Sequence, residues 1–399
     1  MTRSDLPDNT QLYDKVLGVL VGSAAGDAMG APTEMWSRDQ IQAEFGFIDS
    51  LTDHVREPSP EGVWEYNLHK GGTTDDTRWK ALMSEFFYGS SYDEKLDRRD
   101  FARHILQTYD GYTKDLQKLK GRDSEPYENA LNKMLWLKEW AVVSEAYVEK
   151  GPDAHYDALS QFYGGEMVCA GMLFAPSVGL YYPSEPQKAY EACYDINLFD
   201  LGYARDISGL TASLVAASMD TAASPESVMS VLKDVDPHHY FKGRLIGRTA
   251  YTLYRQAQSI VFQANSLDVD EYLKDPPVKL SLPLDTKSDS IRYARWSFAY
   301  DVLDKLTRMY PFHPAEIHLV NLTALLLEDF DFRYVLSFVI NFGRDNDTTA
   351  AVSGAILGGF HGFSGIPEDF RQDILDRQKE LGIDLEEMAM KLVRKMQQV

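Results

Sequence analysis

Cysteine is nearly absent: Cys169 and Cys193 are the only two in 399 residues. They cannot form a disulfide framework, and no Cys/His spacing matches a zinc site, so a reducing compartment is expected. Positive charge is scarce too. Lys and Arg number 40 against 61 Asp and Glu, a formal net charge of -21. Such a field repels phosphate backbones and anionic lipid, and no nucleic-acid or membrane partner is expected. An anionic substrate would need a local cation to reverse that field. Long apolar runs are missing as well. The uncharged stretch 348–367 nearly has the length of a bilayer span. It holds Gly354, Gly358, Gly359, Gly362, Gly365 and His361, however, and reads better as a tightly packed buried helix. The N-terminal MTRSDLPDNTQLYDK is polar and acidic, unlike a secretory leader. A soluble cytoplasmic protein is expected. Also missing are a P-loop, a G-x-G-x-x-G after a strand, an H-E-x-x-H helix and a nucleophile elbow.

What is present is ordinary globular composition, 44% hydrophobic and 25% charged, enough for a large core. Apolar residues recur at intervals near three and four, and clean alternation is rare, so helix dominates. The spacing predicts helices from Tyr13 onward and over 80–87, 100–116, 127–147, 186–197, 207–219, 224–233, 243–262, 289–310, 314–327, 332–341, 348–360 and 367–395. The Pro-containing stretch 273–288 reads as a surface loop rather than a boundary. The expected architecture is all-α: a single large compact helical domain over 1–399.

Two helices carry glycine at a fixed interval of four, although each glycine costs roughly 1 kcal/mol against alanine in a helix. Gly18, Gly22, Gly26 and Gly30 form one stripe; Ala350, Gly354, Gly358 and Gly362 form the other. A repeated cost on one face implies a close helix contact that offsets it. What the stripes position should lie at their ends.

Acidic residues gather at those ends. Gly30 and Pro32 close the first helix and leave Glu34 on the next loop, where a solvated charge is the bland alternative. The segment TTDDT brings Thr74, Asp75 and Asp76 to a helix start. Asp and Thr are favoured caps there, which explains one Asp well and two less well. Adjacent anions repel unless exposed or bridged by a cation, and a threonine hydroxyl adds a third hard oxygen of the kind Mg2+ takes. The chemistry recurs at Asp345, Asp347 and Thr348, which open the second striped helix. An EF-hand fails the spacing test, since counting from Asp345 puts Ala350 at the glycine position and Ile356 at the glutamate position. A D-x-D glycosyltransferase would need a sheet the pattern does not contain. Two clusters of the same make-up favour metal over caps. His238, His239, His313 and His318 lack ligand spacing and read as surface or core. Trp79 and Tyr163 offer rings for stacking, although scattered aromatics are usually core.

In order and separation, GVLVGSAAGDAMGAPTE (18–34), TTDDT (73–77) and GRDNDTTAAVSGAILGGFHG (343–362) resemble the ADP-ribosylglycohydrolase family, all-helical magnesium-dependent hydrolases. The segment 175–183, APSVGLYYP, resembles the family's Pro-x-Gly-Leu stretch. The resemblance brackets nearly the whole chain and thins over 90–161 and 234–311. It implies two Mg2+ ions, Mn2+ in some members, held by Thr74, Asp75, Asp76, Asp345, Asp347 and Thr348. Glu34 would be the glutamate beside them that gates the site or helps activate water. It further implies hydrolysis of an ADP-ribosyl N- or O-glycosidic linkage on an ADP-ribosylated protein or a small ribosyl substrate. Two regions depart from the family pattern. Tyr163-Gly164-Gly165-Glu166 replaces a Gly-Asn-Gly segment, and Phe199-Asp200-Leu201-Gly202 replaces a Thr-His pair. Both line the substrate side in relatives, which leaves a small riboside substrate and an inactive ADP-ribose-binding relative as alternatives.

Overall fold

The computed structural model describes residues 10–55, 67–92, 94–120, 124–282 and 284–397; the polar leader residues 1–9 and both extreme ends of the expected domain lie outside them. It contains eighteen α-helices among these residues. They are α1 Thr10–Gly30, α2 Arg38–Phe45, α3 Asp75–Gly89, α4 Arg98–Lys118, α5 Ser124–Glu145, α6 Pro152–Gln161, α7 Ala170–Tyr181, α8 Pro186–Ile196 and α9 Ala204–Ser218. After these come α10 Pro225–Asp234, α11 Thr249–Asn265, α12 Val269–Tyr272, α13 Lys287–Asp304, α14 Pro314–Leu327, α15 Phe332–Phe342, α16 Asn346–His361, α17 Glu368–Glu380 and α18 Leu385–Met396. The one sheet among the described residues is an antiparallel pair, β1 His54–Val55 with β2 Asn67–Leu68. The all-α expectation holds.

The differences from the expected helices have local causes. The helix expected from Gly243 begins at Thr249, because Gly247 takes φ +72° and Arg248 an extended conformation. The long helix expected over 367–395 breaks at Gly382 (φ +86°), and Asp384 caps α18 by accepting from the Glu387 amide at 2.9 Å. The APSVGLYYP stretch lies mainly within α7, with Pro176 inside the helix. Neither α2 nor α6 stood out in the sequence; α6 buries none of its residues, so it carries no apolar stripe to read.

The glycine stripes meet face to face. A methyl group on Gly18 would strike the Gly358 carbonyl, one on Gly22 the Gly354 carbonyl, one on Gly26 the Ala350 carbonyl, and one on Gly30 the Asp347 backbone. α1 and α16 therefore run antiparallel at backbone contact, which side chains at these positions would forbid. Lys15 seals one end by donating to the Gly359 and Phe360 carbonyls at 2.7 Å each, two carbonyls in the last turn of α16. The other end is where Gly30 abuts Asp347. Around this pair one contiguous cluster of buried apolar side chains runs from Val16 to Met396.

Gly22→Ala is expected to lower the melting temperature. Overpacking costs about 1–3 kcal/mol or more when the clash is with backbone, which exceeds the roughly 1 kcal/mol gained in helix propensity. Gly111→Ala in α4, where nothing lies within 4 Å of an added methyl group, should stabilise slightly. Thermal denaturation of the two variants decides; equal shifts would contradict the close contact.

Candidate active site

The centre is built from three loops, and a buried aspartate sets the first. Asp27, fully buried on α1, accepts from the Thr74 amide at 2.8 Å, the Thr77 amide at 2.9 Å and the Thr77 hydroxyl at 2.6 Å. It thereby ties the start of α3 to the glycine face. Thr74 is the N-cap of α3, its hydroxyl accepting from the Asp76 amide at 3.3 Å. Asp75 then faces outward, half-buried, while Asp76 turns inward. The Asp76 carboxylate accepts from the Thr348 hydroxyl at 3.0 Å on one oxygen and from the Lys80 ammonium at 3.2 Å on the other.

The other two loops are joined by their backbones. The Met35 amide donates to the Arg344 carbonyl at 2.7 Å, and the Arg344 amide donates to the Trp36 carbonyl at 2.8 Å. Met35 (φ +65°) and Arg344 (φ +70°) both occupy the left-handed region, a strain usually kept where surroundings fix it for function. Each adjoins a site acid, Glu34 or Asp345. The Arg344 guanidinium grips Glu316 at 2.7 and 3.0 Å and the Arg308 carbonyl at 2.6 Å. Asn346 donates to the Thr33 hydroxyl at 2.8 Å. Asp345 stands at the N-cap of α16 yet makes no side-chain capping bond, so a capping role does not account for its carboxyl.

These loops open onto a cleft of about 450 Å³ including its mouth. Its lining includes the acids Glu34, Asp75, Asp345 and Asp347 with Thr348, and the apolar or aromatic Trp140, Tyr163, Val168, Leu173 and Phe312. Of the expected ligands, five thus reach the cleft with Glu34 included, Asp76 lies directly behind it, and Thr74 serves as a cap. Tyr163 stands in the wall, whereas Trp79 is core, its ring tilted 57° against that of Trp140 with centroids 4.4 Å apart. His318 is buried and His313 caps α14, as the lack of ligand spacing suggested. Asp200, in the segment that departs from the family pattern, is structural. It accepts from the Gly171 amide at 2.9 Å, Asn197 at 2.6 Å and Ser208 at 2.5 Å, which sets the start of α7 and the cleft residues on it.

Asp27, Trp140, Cys169 and Phe312 had no assigned part in the sequence reading. Asp27 was legible as a carboxylate inside a glycine-striped helix. Phe312 and Cys169 were not, because a backbone bond joins them across the fold, Cys169 amide to Phe312 carbonyl at 3.0 Å.

The ADP-ribosylglycohydrolase family model matches residues 8–399. The chain belongs to that family. A relative from Escherichia coli (strain K12), the uncharacterized protein YegU, is 29% identical over 106 residues, 26% of this chain and 30% of that protein. The match thus spans under a third of that relative's length. A solved structure described as an ADP-ribosylglycohydrolase-related protein complex aligns with a TM-score of 0.53 and 16% identity, over 97% of this chain and 99% of the other. The likeness is one of fold.

The electrostatics of this family member's cleft are unbalanced. Burial pushes Asp345 up to about 7, and the neighbouring Glu34 carboxylate adds to the rise. Burial likewise holds Asp76 well above the carboxylate range; the Lys80 ammonium opposes this, and Asp27, Asp75 and Asp345 reinforce it. Hard oxygens crowded this way suit Mg2+ or Mn2+, which prefer carboxylate, hydroxyl and water. Among the described residues no trio of His, Cys, Asp or Glu is gathered tightly enough to enclose an ion as it stands.

Without added metal, the upward shift of Asp345 has a definite sign. Its unfolded value is about 3.9, so between there and about 7 the folded protein keeps a proton the unfolded chain has lost. That contribution is complete at low pH and is lost as pH rises through about 7. Melting curves of chelator-treated protein should therefore fall less steeply from about pH 5 to about pH 8 in Asp345→Asn than in the wild type. Parallel slopes would refute the shift.

Proposed function

We propose that this chain is a divalent-metal-dependent hydrolase of glycosidic bonds that releases ADP-ribose from an ADP-ribosylated protein. The observation that carries the reading is the gathering of Glu34, Asp75, Asp345, Asp347 and Thr348, from three distant segments, in one cleft that apolar and aromatic side chains also line. Family membership supports the bond type. Asp75, Asp345, Asp347 and Thr348 would hold the metal, with Asp76 behind them. Once bound, Mg2+ or Mn2+ supplies positive charge beside the ribose hydroxyls and the attacking water.

The remaining steps belong to side chains of this chain. Glu34, half-buried at the cleft edge, takes a proton from the water as its oxygen bonds to the anomeric carbon. The C–N or C–O bond to the acceptor breaks, and the leaving atom is protonated from solvent. The developing oxocarbenium charge is stabilised by the surrounding carboxylates. Trp140, Leu173 and Phe312, which line the same cleft, exclude water from it. The two buried cysteines, neither in a disulfide, suit a reducing, cytoplasmic setting.

One observation favours a second reading, a small riboside as substrate: among the described residues no Lys or Arg lines the cleft, so a diphosphate would find no side-chain cation among them. A panel of Arg-linked, Ser-linked and free ribosyl substrates, with Mg2+ and with chelator, separates the two. Chelator-sensitive release of ADP-ribose from modified protein is expected, and Asp75→Asn or Asp347→Asn should lower it by about 100-fold or more. Turnover confined to free ribosides would select the second reading, and unchanged turnover in both variants would overturn the site. Glu34→Gln should depress kcat while metal affinity, followed by calorimetry, stays near that of the wild type.

A further inference from the structure

Lys80 is the sole buried lysine among the described residues, 2% exposed, on the same face of α3 as Asp76 and one turn later. Its ammonium lies 3.2 Å from one Asp76 oxygen, while the Thr348 hydroxyl takes the other at 3.0 Å. Asp76 is itself 1% exposed and is not part of the cleft wall. Both oxygens of a residue expected to bind metal are thus already engaged by protein donors, one of them a full positive charge. An ammonium offers charge and three donors but no coordination sites for water or sugar oxygens. It also repels a divalent ion brought close to Asp76.

We infer that Lys80 permanently replaces one of the two divalent cations the resemblance implies, so that this chain takes a single ion on the side formed by Asp75, Asp345 and Asp347. The inference rests on the proposal that the cleft is a metal centre. The charge of Asp76 is matched by Lys80 alone, so Asp76 needs no further counter-charge. Removing Lys80 leaves a buried carboxylate without its counter-charge, a costly state that a second divalent ion would relieve.

Equilibrium dialysis of the full chain against Mn2+, with the metal counted by elemental analysis, tests this. One ion per chain is expected in the wild type and two in Lys80→Met. The charge-keeping Lys80→Arg should stay at one. Electron paramagnetic resonance of the wild type loaded with Mn2+ gives an answer that does not depend on any variant folding: the hyperfine spectrum of an isolated ion is expected. A spin-coupled pair, two ions in the wild type, or one ion in both wild type and Lys80→Met would overturn the inference while leaving the metal centre standing. No Mn2+ bound to the wild type would overturn the metal centre itself, and this inference with it.

Discussion

The backbone-to-backbone contact of α1 with α16 is the constraint on which the site depends. Glycine at Gly18, Gly22, Gly26, Gly354 and Gly358 lets two helices approach until carbonyls fill the space where side chains would stand. The contact runs to the last residue of α1, where Gly30 meets the backbone of Asp347. Glu34 and the Asp345–Asp347 turn therefore leave the same junction in fixed relation. A looser contact would let the two loops drift, and positions around a small ligand tolerate errors of only about half an ångström.

Asp27 extends this constraint to a third segment. From the buried face of α1 it fixes the first turn of α3 through two amides and a hydroxyl, so that Asp75 emerges into the cleft and Asp76 does not. Buried polar groups of this kind are costly unless fully satisfied, and Asp27 is satisfied by the very turn it positions. Strain is stored on the other side. Met35 and Arg344 keep left-handed backbones beside Glu34 and Asp345, held by two mutual backbone bonds and by the grip of Arg344 on Glu316. Packing and hydrogen bonding thus over-determine the loops that carry the acids.

Charge is the second organising principle. Burial, reinforced by neighbouring carboxylates, raises Asp345 and Asp76, and a cation is the natural complement of the gathered acids. Lys80 supplies one fixed part of that complement from within the core. Trp140, Tyr163, Leu173 and Phe312, which also line the cleft, contribute no charge, so recognition of an anionic substrate falls to a bound cation or to backbone amides.

Much of this was determined by the sequence alone. Glycine every four residues announced that each striped helix makes a close helix contact, because such a contact offsets the cost of a repeated helix-breaking residue; that the two stripes meet each other came from the structure. The paired Asp/Thr clusters at two helix starts singled out Thr74, Asp75, Asp76, Asp345, Asp347 and Thr348 as candidates, because adjacent anions need a reason to be adjacent, and four of the six line the cleft. Tertiary structure decided the rest. Whether Asp75 or Asp76 faces the cleft depends on the rotation that Asp27 imposes, and the pairing of Lys80 with Asp76 depends on both being buried together. Trp140 and Phe312 form a wall only because α5 and the loop before α14 fold against the same cleft. Linear spacing encodes which residues can share a helix face, and long-range packing alone chooses which of those faces meets solvent, substrate or core.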